Sequence, residues 1–139
     1  MARTLRLSML LSAALVAIAV LSACASSQAG SSYPGFSTPK SALETFFSSA
    51  QRQDYATTYS CYDKPYQDRV TESEFISHRR QAAALNSYSI GPISASGGTA
   101  EATVTLQFAP GSGASTVARG VEVREELVDQ AGAWKIKVQ

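Results

Sequence analysis

Apolar and polar positions divide the 139-residue chain into three regimes. Residues 7–23 are an almost unbroken run of Leu, Ala, Val and Ile behind Arg3 and Arg6. Residues 25–38 are small and polar, with Gly and Pro, and have too little apolar surface to offset the cost of ordering them. From residue 39 the apolar positions recur at three and four, and from residue 100 they alternate.

The helical spacing predicts three helices. Thr38 is an N-cap candidate and Pro39 suits the first helical position, with Ser41 to Glu44 as a competing capping box. Ala42, Leu43, Phe46, Phe47 and Ala50 then form one face of a helix over 39–52. Asp54 can cap a short second helix, which Pro65 closes by residue 64. Residues 63–70 read as a loop or short irregular strand. Thr71 and Glu74 make a capping box for a third helix running to about Leu85. Its stripe is Phe75, Ala82 and Leu85, flanked by Ile76, Arg79 and Ala83.

The rest reads as strand. A short strand, Tyr88 to Ile90, meets a bend at Gly91-Pro92. Ala102, Val104, Leu106 and Phe108 alternate with Glu101, Thr103, Thr105 and Gln107. After a turn at 110–115, Val117, Arg119, Val121, Val123, Glu125 and Leu127 share one parity. That parity places Arg119 and Glu125 inward, which calls for either a bulge at Gly120 or a partly wet cavity. Residues 129–132 make a hairpin turn, and Trp134, Ile136 and Val138 face the core. The expected class is α+β, three N-terminal helices packed on a curved antiparallel sheet. No βαβ crossover is present, which excludes a doubly wound nucleotide fold.

Charge and cysteines narrow the partners. Net charge is +1 for the whole chain and −1 without the first 23 residues, so no basic surface for nucleic acid is expected. The basic start, apolar run and small-residue exit are the physical features of an export signal. Leu21-Ser22-Ala23-Cys24 resembles the lipobox of bacterial lipoproteins. That resemblance implies cleavage before Cys24, lipid on its thiol, and partnership with the membrane through that lipid. Each buried methylene of such chains contributes about 0.8 kcal/mol. The expected organisation is a signal peptide over 1–23, lipidated Cys24 with a flexible tether over 24–37, and one domain over 38–139. With Cys24 acylated, Cys61 is the one free thiol and no disulfide forms. Ala25 in place of Asp resembles the sorting pattern for the outer membrane in a two-membrane bacterium. The expected location is therefore the cell membrane or outer membrane, with the domain on the extracytoplasmic side.

Ala42-Leu43-Glu44-Thr45-Phe46-Phe47, the following Asp54-Tyr55 and the closing Gly132-Ala133-Trp134-Lys135-Ile136 carry a second resemblance. Together with the element order they resemble the nuclear transport factor 2-like superfamily, with its SnoaL-like and ketosteroid-isomerase-like members, and within it small lipoproteins. The resemblance implies a cone-shaped fold that often encloses a pocket, and a homodimer or an envelope protein as a partner. It transfers no activity, because the same shell serves enzymes, binders and assembly modules.

Asp63, Tyr59, Tyr62, His78, Arg119 and Glu125 are the polar candidates for a pocket, and none falls into a recognisable acid–base motif. No catalytic residue is therefore assigned. One His and one free Cys without ligand spacing suggest no metal, and no cofactor motif is present. Tyr59, Tyr62, Arg119 and Glu125 are the expected ligand-binding residues, because Tyr suits a pocket mouth and an inward charge needs a partner. The expected function is a membrane-tethered small-molecule-binding or protein-interaction module. The alternative is an enzyme of the ketosteroid-isomerase or SnoaL-like type with an acid–base pair lining the cavity.

Overall fold

The computed structural model describes residues 32–109 and 120–138. The signal peptide, Cys24, the first part of the expected tether, the turn at 110–115 and Arg119 lie outside the described residues.

Four helices precede the sheet, not three: α1 (Pro39–Gln51), α2 (Tyr55–Ser60), α3 (Lys64–Arg69) and α4 (Glu72–Gln81). The extra helix is α3, in the stretch expected to be a loop. Pro65 stands in its first turn, where a missing N–H costs nothing, and the Asp63 side chain accepts from the Tyr66 N–H at 3.2 Å. The proline that was expected to end a helix opens one. The last expected helix also stops early, because Ala82 has extended backbone (φ −82°, ψ 161°).

Capping explains where α1 begins. Thr38 Oγ1 accepts from the Ser41 N–H at 3.1 Å, and Ser41 Oγ accepts from the Thr38 N–H at 3.0 Å. Leu43, Phe46, Phe47 and Ala50 are buried on its inner face. Leu43, Phe46 and Phe47 meet Ala100, Ala102, Val104, Leu127 and Ile136 from the sheet, forming one core. Each large side chain so buried contributes about 1.5–3 kcal/mol. Ser49 of α1 and Thr58 of α2 share a buried hydrogen bond at 2.9 Å, which ties the two helices.

The sheet is an antiparallel meander of β1 (Leu85–Ser96), β2 (Thr99–Phe108), β3 (Gly120–Gln130) and β4 (Ala133–Lys137), in that spatial order. β1 is longer than the predicted Tyr88–Ile90 strand, because it continues through the Gly91-Pro92 bend as a bulge between Ile90 and Ile93. Gly91 permits the bulge: a Cβ there would lie 2.9 Å from the Thr103 carbonyl oxygen. The β2–β3 register is unbroken from Thr99↔Val128 to Gln107↔Gly120. Among the described residues no bulge interrupts β3, and Glu125, opposite Ala102, keeps its inward parity.

The free edge of β4 is covered by the chain after α2. Asp63 N–H donates to the Ile136 carbonyl at 2.9 Å, and Ile136 N–H donates to Cys61 at 2.8 Å. Residues 33–36, assigned in sequence to the tether, also make defined contacts. Tyr33 hydroxyl donates to Asp54 at 2.9 Å, Gly35 N–H donates to Thr45 Oγ1 at 2.9 Å, and Trp134 N–H donates to the Phe36 carbonyl at 2.9 Å. The Lys135 ammonium stands 3.9 Å from the centre of the Phe36 ring. Contacts with the domain thus begin ahead of residue 38. Among the described residues no helix is long and apolar enough to cross a membrane.

Candidate functional site

The site follows from the register of β3. Its inner face carries Val121, Val123, Glu125 and Leu127, so one carboxyl group is aimed between sheet and helices. Opposite it, α1 presents Phe46, Phe47 and Ala50, while α4 presents Arg79 from the flank of its buried Phe75. Tyr62 enters from the segment after α2, with its ring 5.2 Å from Phe46 and 5.5 Å from Phe75, both edge-on. These side chains enclose a cavity of about 180 Å³, completed by Leu85, Leu106 and Phe108. Exposed Ala82 and Ala83 also line it, on the segment where α4 has ended.

Four polar side chains line this cavity: Glu125, Arg79, Tyr62 and Tyr55. Burial pushes the Glu125 carboxyl above its ordinary value, and the Arg79 guanidinium works against that shift without cancelling it. Burial likewise raises the Tyr62 hydroxyl, with Arg79 lowering it and Glu125 adding to the rise. Among the described residues Glu125 makes no hydrogen bond and no salt bridge with any side chain. Arg79 is held by its position over the Phe75 ring, at 5.8 Å, and not by an ion pair. The cavity therefore offers one carboxyl together with donors from Arg79, Tyr62 and Tyr55.

Of the four residues expected to bind a ligand, the structure brings Tyr62 and Glu125 to one cavity. Tyr59 is elsewhere: its hydroxyl donates to the Val70 carbonyl at 2.7 Å, bracing the end of α3. Arg119 lies outside the described residues. Arg79 is the residue that sequence reasoning did not select. Its signal was present, since it lies beside the apolar stripe of its helix, but a long cation on a helix flank usually reaches water.

The remaining candidates have structural places. Asp63 is buried and caps α3. His78 is exposed on the last turn of α4. Cys61 is buried, donates from Sγ to the Thr57 carbonyl at 3.2 Å, and its thiol is pushed up to about 12 by burial. A thiol so shifted is not a nucleophile at neutral pH. Among the described residues no three His, Cys, Asp or Glu side chains gather as a metal site.

No family model and no curated protein sequence matches the chain. Solved structures do. A SEC-C motif containing protein from Rhodopseudomonas palustris is similar, with TM-score 0.61 and 12% identity over 77% of this chain and 78% of its own. A protein described as a calcium/calmodulin-dependent protein kinase type II association domain, from Thiobacillus denitrificans, has TM-score 0.56 and 13% identity over 74% of this chain and 92% of its own. A protein described as an NTF2-like transpeptidase, from Campylobacter jejuni, has TM-score 0.50 and 10% identity over 73% of this chain and all of its own. At such identities the likeness concerns the fold alone, and the last neighbour supports a nuclear transport factor 2-like fold.

The buried carboxyl has a consequence for stability. Because its folded pKa lies above the ordinary 4.5, the native state holds the proton more tightly than the unfolded chain. Stability associated with Glu125 is greatest below pH 4.5 and is lost as pH rises through the folded pKa. Urea unfolding of Glu125→Gln is expected to lack that loss, so the variant gains on the parent as pH rises to 7. A constant difference across the range would exclude a raised Glu125 pKa.

Proposed function

We propose that this chain is a lipid-anchored binding module whose interior cavity holds a small polar ligand between Glu125 and the donors Arg79 and Tyr62. The observation that carries the reading is Glu125, a carboxyl lining the cavity beside Arg79 with no hydrogen bond or salt bridge among the described residues. Burying such a group costs stability unless something binds it. A ligand with a donor and an acceptor side by side, such as an amide, fits: its N–H meets Glu125 and its carbonyl accepts from Arg79 or Tyr62. The volume suits a compact ligand, since drug-sized pockets run from about 300 to 1,000 Å³.

A protein-interaction role through the sheet has less support. Its outer face carries Glu101, Thr103, Thr105, Glu122 and Arg124, with Arg124 paired to Glu101, where a stable interface core would need apolar area. The transpeptidase activity given for the Campylobacter neighbour gains nothing from Cys61, which is buried and has a raised pKa. An isomerase-type reaction is the second reading, favoured by one observation. A carboxyl with a raised pKa opposite two hydrogen-bond donors is the arrangement that proton abstraction beside a carbonyl requires.

The anchor rests on the resemblance of Leu21-Ser22-Ala23-Cys24 to a lipobox. It places the domain on the extracytoplasmic side of a membrane. Mass spectrometry of the membrane-extracted protein is expected to find an acylated amino-terminal peptide beginning at Cys24. An unmodified peptide, or one beginning at Met1, would remove the anchor from the reading.

Pyrrolidinone, a ring amide small enough for the cavity, tests the ligand site in the full chain held in detergent. Its addition is expected to shift the amide resonances of Leu106, Glu125 and Arg79, and Glu125→Leu is expected to abolish the effect. No shift at these positions would reject the binding reading. Glu125-dependent deuterium exchange into cyclopentanone in the same sample would decide for the enzyme.

A further inference from the structure

On α3 and α4 a second concavity of about 430 Å³ is formed by a different set of residues, sharing only Tyr62, Arg79 and the buried Phe75 helix with the interior site. Its floor is aromatic. The Tyr62 and Tyr66 rings lie 4.3 Å apart at 34°, and Phe75 meets Tyr66 edge-on at 6.4 Å. Its rim is basic: Arg69 comes from the last turn of α3, and His78 and Arg79 come from the last turn of α4.

Glu74 is the one acidic side chain lining this groove, and it is already committed. Its carboxylate accepts from the Thr71 N–H at 2.9 Å and from the Thr71 hydroxyl at 2.7 Å, as the capping box of α4. Those bonds hold its pKa below the ordinary carboxylate value, so it stays charged but turned to its own helix start. Among the described residues Arg69 and Arg79 make no salt bridge. A basic residue in the last turn of a helix is accounted for by the helix dipole. The dipole does not account for two helices delivering unpaired guanidinium groups to one shared aromatic floor.

We infer that this groove is an anion site with an aromatic floor, and that its ligand class is an aryl carboxylate. A planar ring packs against the Tyr66 and Phe75 side of this floor, since Tyr62 and Tyr66 already face each other, and the carboxylate meets the forked donors of Arg69 and Arg79. The two halves of the ligand are each recognised weakly by an exposed groove and firmly together. Arg69, Tyr66 and His78 line the groove and not the cavity, whereas Tyr62 and Arg79 line both, so the first three report on the groove separately.

Benzoate is the probe, with benzamide and acetate as its neutral and ringless counterparts, titrated into the full chain in detergent at low salt. Benzoate is expected to shift the amides of Tyr66, Arg69 and His78. Loss of one charge-assisted contact in Arg69→Gln is expected to weaken it about tenfold. Arg69 is exposed, so the variant keeps its fold, which an unchanged spectrum in β2 and β3 verifies. Benzamide and acetate are expected to bind more weakly than benzoate. Equal binding of benzamide, an unchanged affinity in Arg69→Gln, or benzoate shifts confined to Leu106, Phe108 and Glu125 would each overturn the inference. Failure of pyrrolidinone to bind would leave the groove standing.

Discussion

Side chains on a strand alternate between two faces, and an unbroken ladder leaves no place where the alternation can slip. In β3 this constraint is decisive. Leu127 must be buried against Ala100 and Ile136, and the uninterrupted pairing with β2 then carries Glu125 to the same inner face. The fold gains an apolar anchor and, two residues away, receives a carboxyl group that is difficult to solvate. The arrangement around it follows. Small Ala102 lies opposite Glu125, Arg79 lines the same space from α4, and the helices leave a cavity where a fully packed core would have closed.

The helical layer makes that cavity stable. α1 seals most of the sheet with Leu43, Phe46 and Phe47, while Tyr62, Tyr66 and Phe75 form a cluster at its side, with Phe75 edge-on to both tyrosines and the tyrosine rings facing each other at 34°. Tyr62 takes part in both. Its backbone bridges to Ile136 beside β4, its ring packs on Phe46, and its hydroxyl belongs to the polar group in the cavity. The aromatic cluster thus fixes Arg79 by stacking it over Phe75, which leaves the guanidinium's hydrogen bonds available. An ion pair with Glu125 would have consumed them.

What was legible in the sequence was local. The caps at Thr38 and Thr71, the inner face of α1 and the alternation of β2 all depend on neighbours within a few residues, and the structure has them. The inward parity of Glu125 was legible for the same reason, whereas choosing between a bulge and a wet cavity required the pairing with β2. Pro65 misled because proline suits the first turn of a helix as well as the residue after one, and only the Asp63 cap decides. The length of β1 was hidden because serines dominate it and its partner strand supplies the order. Docking of Tyr33 and Phe36 onto the domain was legible only as an alternative to a loose tether, since it depends on Asp54, Trp134 and Lys135, which are distant in the chain.

The most direct measurement is a carboxyl-carbon NMR titration of Glu125 in the ligand-free protein. A carboxyl buried beside a cavity, without a bonded partner, predicts a midpoint above the ordinary 4.5. A midpoint at or below 4.5 would mean that Arg79 or solvent already satisfies Glu125, and the cavity would then be no binding site of the kind described.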